Sequence, residues 1–321
     1  IMAARTIENA RDRLVTILIA PLMTCSARLP VYTVLIAACI PDTRALGFIK
    51  WPGLTLLSMY ALGIVAALAA AWMFKRTLLK GRTPMLVVEL PPYRRPMLMT
   101  VLRHMWDRAA VFLRQAGTVI LGINILLWFL ASYPRSADVE RPYDEARRTL
   151  EARLAQSGSE TEHSALREQI ERLGGEQAGA RLRNSVAGRM GRWIEPIIRP
   201  LGFDWKIGVG IVTSFAAREV FVSTMSVVYN VGRAEEAKGE SLALTLRRQV
   251  HPDGRPQYTM LMGISLMVFY VFALQCASTV VIVRRETNGW KWPLFQWAYL
   301  GALAWIAAFI TCQGGRLLGF Q

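Results

Sequence analysis

Residues 14–40 read LVTILIAPLMTCSARLPVYTVLIAACI, and this stretch decides the fold. A helix needs roughly 20 mostly apolar residues to cross a hydrocarbon core about 30 Å thick, and the block is long enough. Yet Pro21 and Pro30 flank Thr24-Cys25-Ser26-Ala27-Arg28 inside it, and each proline removes a backbone donor. The reading is a membrane span broken near its middle. Freed backbone groups at that depth have to face protein or a water-filled cavity. An arginine there costs about 2.5–3.5 kcal/mol on insertion scales, so Arg28 requires a partner or an aqueous lining. Broken helices of this kind often hold transport sites.

Five more apolar blocks follow, at residues 52–74, 109–131, 207–229, 258–283 and 293–311. The expectation is an all-α, polytopic helical membrane protein with about six transmembrane segments, some broken or re-entrant. Composition agrees: 53% of the 321 residues are hydrophobic, which with a formal charge of +15 fits neither a soluble enzyme nor a disordered tail. A pI near 10.3 raises the question of nucleic acid, but no zinc-finger spacing, RNA-binding aromatic signature or helix-turn-helix pattern accompanies it. The charge is better read as topology. Between the second and third blocks lie Lys75, Arg76, Lys80, Arg82, Arg94, Arg95, Arg103 and Arg108 against Glu89 and Asp107, the pattern of a cytoplasmic loop. Parity from that loop puts Arg284, Arg285 and Lys291 outside, against the same rule, so one block is expected to be re-entrant or broken.

Residues 134–203 differ in character. Acidic and basic residues nearly balance from 138 to 183, and Leu150, Leu154, Leu166, Ile170 and Leu173 recur at helical spacing around Ser157-Gly158-Ser159. This predicts an extramembrane two-helix hairpin: a solvated insertion, or a partner or gating surface. Three parts follow: 1–133, membrane helices with the basic loop; 134–203, the charged insert; and 204–321, a second membrane region.

Polar groups within the apolar blocks mark the candidate site. Glu219, in Ser214-Phe215-Ala216-Ala217-Arg218-Glu219-Val220, is a carboxylate deep in the fourth block. Its neighbour Arg218 cannot face it, because adjacent helical residues diverge. Glu219 is therefore expected to meet another cation, either Arg28 or a transported ion. The fifth block carries Gln275-Cys276-Ala277-Ser278-Thr279. Cys25 and Cys276 sit in matching polar interruptions and are either soft ligands for a metal such as Fe(II) or small residues at tight helix crossings. Cys25, Cys276 and Glu219 are the candidate metal ligands, and Ser26, Arg28, Ser278 and Thr279 complete the candidate pathway.

All four cysteines lie within or at the ends of apolar blocks, so no disulfide framework is implied. His104, His163 and His251 fall outside the blocks, which excludes a histidine-rich intramembrane site. Met23, Met225, Met260, Met262 and Met267 read as packing residues, and Trp51, Trp128, Trp290, Trp292 and Trp297 as interfacial anchors. No Walker loop, Ser/His/Asp set or zinc-hydrolase motif is present, so the chain offers no catalytic chemistry and no bound cofactor. The chain starts at Ile1 with a stretch too charged for a signal peptide, which is read as a fragment.

At its breaks the sequence resembles ferrous iron transport protein B. The matching stretches are Arg11-Asp12-Arg13-Leu14, Pro21-Leu22-Met23-Thr24-Cys25-Ser26-Ala27-Arg28-Leu29-Pro30-Val31-Tyr32, Glu89-Leu90-Pro91-Pro92-Tyr93-Arg94, Pro200-Leu201-Gly202-Phe203-Asp204-Trp205-Lys206, Phe215-Ala216-Ala217-Arg218-Glu219-Val220, and Cys276-Ala277-Ser278-Thr279 with Arg284-Arg285-Glu286-Thr287. The resemblance implies Fe(II) uptake across the bacterial inner membrane as the permease part of a GTPase-coupled transporter, with two gate-like repeats lining the path. It places GTP and Mg in a cytoplasmic domain outside this chain, and Ile1-Met2-Ala3-Ala4-Arg5-Thr6 at the end of the first gate motif. Expected partners are the lipid bilayer, that GTPase domain and a small cytoplasmic accessory protein docking on the basic loop, with a homo-oligomer also open. The alternatives are a carrier of a small polar organic solute, since gate-like folds resemble nucleoside carriers, or a non-transporting membrane scaffold.

Overall fold

The computed structural model describes residues 4, 7, 9–46, 49–77, 97–112, 117–134, 137–156, 160–215, 217–229, 240–249, 256–273 and 276–319. Among the described residues the protein is built from helices, with one short two-stranded antiparallel ribbon of β1 (Arg44–Leu46) and β2 (Ile49–Lys50). Helices α1 (Ala10–Ile19) and α2 (Leu29–Cys39) come from the stretch broken by Pro21 and Pro30. The ribbon leads into α3 (Trp51–Arg76), followed by α4 (Leu98–Phe112) and α5 (Thr118–Ser132). The charged segment forms α6 (Ala137–Gln156) and α7 (Glu160–Asn184), and α8 (Val186–Ile198) returns to the body of the protein. Short helices α9 (Trp205–Thr213), α10 (Val220–Val228) and α11 (Glu240–Arg248) precede α12 (Met260–Phe272), α13 (Ala277–Glu286) and the long α14 (Lys291–Leu317).

Among the described residues four helical stretches are long and apolar enough to cross a membrane: Ala10–Cys39, Trp51–Arg76, Met260–Glu286 and Lys291–Leu317. The other two expected blocks differ. Among the described residues the third is apolar only over Leu121–Ser132. The fourth is split into α9 and α10, each of 9 residues and so about 14 Å long, under half a bilayer core. Among the described residues four of the six expected blocks thus have membrane length, and the other two are present as shorter or broken apolar helices, as expected of a polytopic bundle with interrupted segments.

Only 28% of the apolar window of α3 and 22% of that of α14 is buried inside the protein. Leu57, Ile64, Val65 and Leu68 of α3 and Leu294, Ile306 and Ile310 of α14 point outward. Apolar surface on this scale is stable against lipid and not against water. α12 is the opposite case: Leu266, Met267, Tyr270 and Val271 are fully buried, as expected of the central helix of a bundle. It packs along α14, whose Leu300, Ala304 and Ala308 form a buried stripe of mostly small residues that lets the two axes approach.

Side-chain caps fix the starts of several helices. Asn9, Ser185, Asp204 and Thr259 each accept a backbone N–H in the first turn of α1, α8, α9 and α12. The two hairpin helices pack on each other, with the Arg181 guanidinium 2.9 Å from the Glu140 carboxylate and the Gln177 amide donating to Asp144 at 3.0 Å. Of the basic loop, Lys75 and Arg76 end α3, Lys80, Arg82, Glu89, Arg94 and Arg95 lie outside the described residues, and α4 carries Leu98, Met99 and Trp106, all exposed.

Candidate functional site

Pro21 has no N–H to give the Ile17 carbonyl, its helical partner four residues earlier. The structure answers this from α14: the buried Gln296 amide donates to Ile17 O at 2.9 Å and to Leu18 O at 3.0 Å, and the Tyr299 hydroxyl donates to Leu18 O at 2.6 Å. The chain then makes a 3-10 turn over Ala20–Leu22 and a second over Ser26–Arg28. Arg28 folds back, donating from Nη2 to Pro21 O at 2.7 Å and from Nη1 to Leu22 O at 3.4 Å. The guanidinium thus caps the helix end that its own segment breaks.

Arg218 plays the same part for another helix. It lies in the break between α9 and α10 and donates from Nη1 to Tyr270 O at 3.0 Å and from Nη2 to Ala273 O at 2.8 Å, the carbonyl end of α12. The Ala277 N–H, first in α13, donates to Phe215 O at 2.9 Å. The break before α13 and the break after α9 are therefore joined by backbone and side-chain bonds. The third break is drawn in as well: a methyl group placed on Gly63 of α3 would touch Thr24 Oγ1, Leu22 O and Val271 Cγ1 at 3.2, 3.3 and 3.8 Å. Three interrupted helices meet here, and the arginines tie two of them closed.

The candidate residues are distributed unevenly around this meeting point. Arg28 is buried, with 1% of its surface exposed, while Cys25 and Ser26 are exposed. Cys276, Ser278 and Thr279 are half-buried, and the Cys276 thiol lies 2.7 Å from the Ser278 hydroxyl. Gln275 lies outside the described residues. Glu219 is exposed at the turn before α10. The expected Arg28–Glu219 pair does not form, because Arg28 is already engaged by the Pro21 and Leu22 carbonyls. Arg218 rather than Glu219 takes the inward position in that turn, since neighbouring residues cannot both face the centre. Among the described residues no group of three or more His, Cys, Asp or Glu side chains gathers as a metal site.

Sequence reasoning missed Gln296, Tyr299 and Tyr32. The signal for the first was available as a lone amide in the apolar run of α14, and its role is visible only once α14 is placed beside Pro21. A polar cluster also lies just ahead of α9, where Asp204 accepts from the Ile207 N–H at 3.0 Å and from the Gln257 amide at 2.6 Å. Burial pushes the Asp204 carboxyl above the usual carboxylate range, and the Ile207 N–H, Lys206 and Gln257 pull against that shift.

Residues 56–108 match the family model described as "Ferrous iron transport protein B C terminus", and residues 113–290 match the one described as "Nucleoside recognition". The second covers more than half of the chain. An "Fe(2+) transporter FeoB" of Leptospira interrogans serogroup Icterohaemorrhagiae serovar Lai (strain 56601) is 39% identical over 317 residues, 99% of this chain and 41% of that protein. The chain belongs to the ferrous iron transport protein B family. Relatives extend well beyond one genus. An "Fe(2+) transport protein A/Fe(2+) transporter FeoB fusion protein" of Porphyromonas gingivalis is 37% identical over 99% of this chain and 36% of its own length. An "Fe(2+) transporter FeoB" of Methanocaldococcus jannaschii is 33% identical over 99% of this chain and 39% of its own length. The chain spans about two fifths of the length of the curated relatives it matches. No solved structure matches. Family membership and the apolar helices place the chain in the bacterial inner membrane as a multi-pass protein.

Proposed function

We propose that this chain is the permease part of an Fe(II) transporter, and that the ion passes the meeting point of the three helix breaks. The observation that carries the reading is the break-to-break bond from Ala277 N–H to Phe215 O, which brings the Cys276 thiol and the Ser278 hydroxyl to the edge of that meeting point. Irregular backbone inside a membrane bundle is tolerated where it lines a cavity or is buried in protein, and such breaks are where transporters hold their cargo. Cys276 and Cys25 act as soft ligands in passing, with Ser26, Ser278 and Thr279 replacing part of the hydration shell and Glu219 receiving the ion at the exposed rim. We divide the chain functionally into 1–133, 134–203 and 204–321, with the middle part an insert that the transport step does not use. GTP binding and hydrolysis, with Mg, fall to a separate cytoplasmic part of such a transporter. The fusion named in the Porphyromonas gingivalis relative supports a small accessory protein as partner, docking on the basic loop; a homo-oligomer is a further proposed assembly.

The match to a model described as "Nucleoside recognition" favours one competing reading, a carrier of a small polar organic solute. Uptake of radiolabelled Fe(II) under reducing conditions, in cells lacking their own ferrous transporter, separates the two. The iron reading expects uptake that excess unlabelled Fe(II) suppresses and excess nucleoside does not. Suppression by nucleoside, or no iron uptake above the empty-vector level, refutes it.

A further inference from the structure

The end of α3 lies beside the start of α14. The Phe74 ring, in the last turn of α3, meets the rings of Phe295 and Tyr299 in the first turns of α14, with centroids 6.3 and 5.3 Å apart. At about 1.5 Å of rise per residue this puts Lys75, Arg76 and Lys291 at one end of the bundle, and the turn from α13 into α14 carries Arg284 and Arg285 to the same end. The conflict that block counting raised with the positive-inside rule is thereby removed, because the second basic cluster shares the membrane face of the first. Three cation–π pairs line that face: Arg76 over Trp72 at 5.2 Å, Arg284 over Trp290 at 4.2 Å and Lys291 over Trp292 at 5.8 Å. Trp72 and Trp290 are exposed, as an interfacial belt requires. The turn itself is well braced: the Gly289 N–H donates to Arg284 O at 3.2 Å, the Thr287 hydroxyl donates to Val283 O at 2.8 Å, and Asn288 takes the left-handed conformation at φ 49°. On it Val281, Arg284, Arg285, Asn288, Gly289 and Trp290 line a cleft of about 520 Å³. Among the described residues no carboxylate pairs with Arg284 or Arg285. Across residues 72–76 and 281–292 the half-buried Glu286 is the sole acidic residue, against Lys75, Arg76, Arg284, Arg285 and Lys291.

We propose that this cleft holds the phosphate headgroup of an anionic phospholipid. The Arg284 guanidinium is steadied by an aromatic ring and by no carboxylate, which leaves its planar fork of N–H donors for a phosphate. Arg285 and the Asn288 amide line the same cleft, and Lys75, Arg76 and Lys291 add charge around it. Leu294 and Trp297, one and two turns into α14, are exposed and give the acyl chains an apolar wall below the basic rim. Five cations against one carboxylate complement a lipid of net negative charge and gain nothing from phosphatidylcholine, which is neutral overall. The inference rests on the membrane spans and the geometry of this turn, and not on the iron reading.

Thermal unfolding of the purified protein in detergent micelles, with phosphatidylglycerol, phosphatidylcholine or inorganic phosphate added at matched ionic strength, tests the site. Phosphatidylglycerol is expected to raise the midpoint saturably, and the other two are not. Arg284→Gln combined with Arg285→Gln is expected to raise the half-saturating phosphatidylglycerol fraction about thirtyfold, the worth of two cations at a membrane surface. Lys75→Gln combined with Arg76→Gln, on a different helix, is expected to shift it in the same direction and carries the test if the first variant is unstable. Arg316→Gln, an exposed cation at the opposite end of α14, is expected to leave it unchanged. An equal rise with phosphatidylcholine or with inorganic phosphate, or no rise with phosphatidylglycerol, overturns the proposal. So does an unshifted half-saturation in both paired variants, or the same shift in Arg316→Gln, which would show diffuse attraction of a basic chain to anionic lipid.

Discussion

Replacing Arg218 with lysine keeps the buried charge and removes the fork. The guanidinium reaches Tyr270 O at 3.0 Å and Ala273 O at 2.8 Å with two different nitrogens, so it bridges two carbonyls three residues apart. An ammonium is a single point with no such span, and in Arg218→Lys it serves one carbonyl and leaves the other unmet. Charge desolvation is common to both residues and largely cancels, so the difference isolates one lost bond to a buried carbonyl. An unsatisfied buried polar group costs about 1–3 kcal/mol, and a site without access to water belongs at the upper end. For a large domain 1 kcal/mol moves the midpoint by roughly 2–4 °C, so a cost of about 3 kcal/mol sets the expected drop at roughly 6–12 °C. Thermal unfolding of the purified protein in detergent, followed by tryptophan fluorescence, measures it. A variant whose midpoint stays within about 1 °C of the parent, well inside the shift expected for even 1 kcal/mol, would show that Arg218 does not hold the α12 end.

Other perturbations probe the same framework. Gln296→Leu removes the donor to Ile17 O while Tyr299 still serves Leu18 O, so it should destabilise the protein by about 1–3 kcal/mol in the same unfolding assay. Gly210→Ala drives a methyl group to 2.7 Å from the Phe221 ring, and overpacking of this kind costs typically about 1–3 kcal/mol; wild-type stability in that variant would contradict the tight α9–α10 turn. Asp204 binds its proton more tightly folded than unfolded, so its contribution to stability is full below the ordinary carboxylate value of 3.8 and is lost as pH rises through the folded value. Asp204→Asn should therefore gain on the parent as pH rises from 4 towards neutrality, read from midpoints across that range, and parallel curves would argue against a buried carboxyl.

The apolar spans were legible because hydropathy counts what lipid requires, and the break at Pro21 was legible because a missing N–H is written into the residue type. The split of residues 207–229 was not. Ser214, Phe215 and Ala217 are compatible with a continuous helix, and what ends the ladder there is Arg218 reaching carbonyls more than 50 positions away. No periodicity encodes a bond of that range. The expected Arg28–Glu219 pair failed for a related reason: an intramembrane arginine can be satisfied by helix-end carbonyls, and the sequence shows charges without showing free carbonyls. Cys25 and Cys276 were singled out from their place in polar interruptions. The fold puts Cys276 beside the joined breaks and leaves Cys25 exposed at the neighbouring one.

The proposed passage of iron through these breaks is tested by Fe(II) uptake by Cys25→Ser and Cys276→Ser variants in transporter-deficient cells, with membrane expression matched to the parent. Uptake is expected to collapse in Cys276→Ser and to fall in Cys25→Ser while both proteins remain folded and inserted. Undiminished uptake in both variants would contradict it and leave the breaks as structural joints alone.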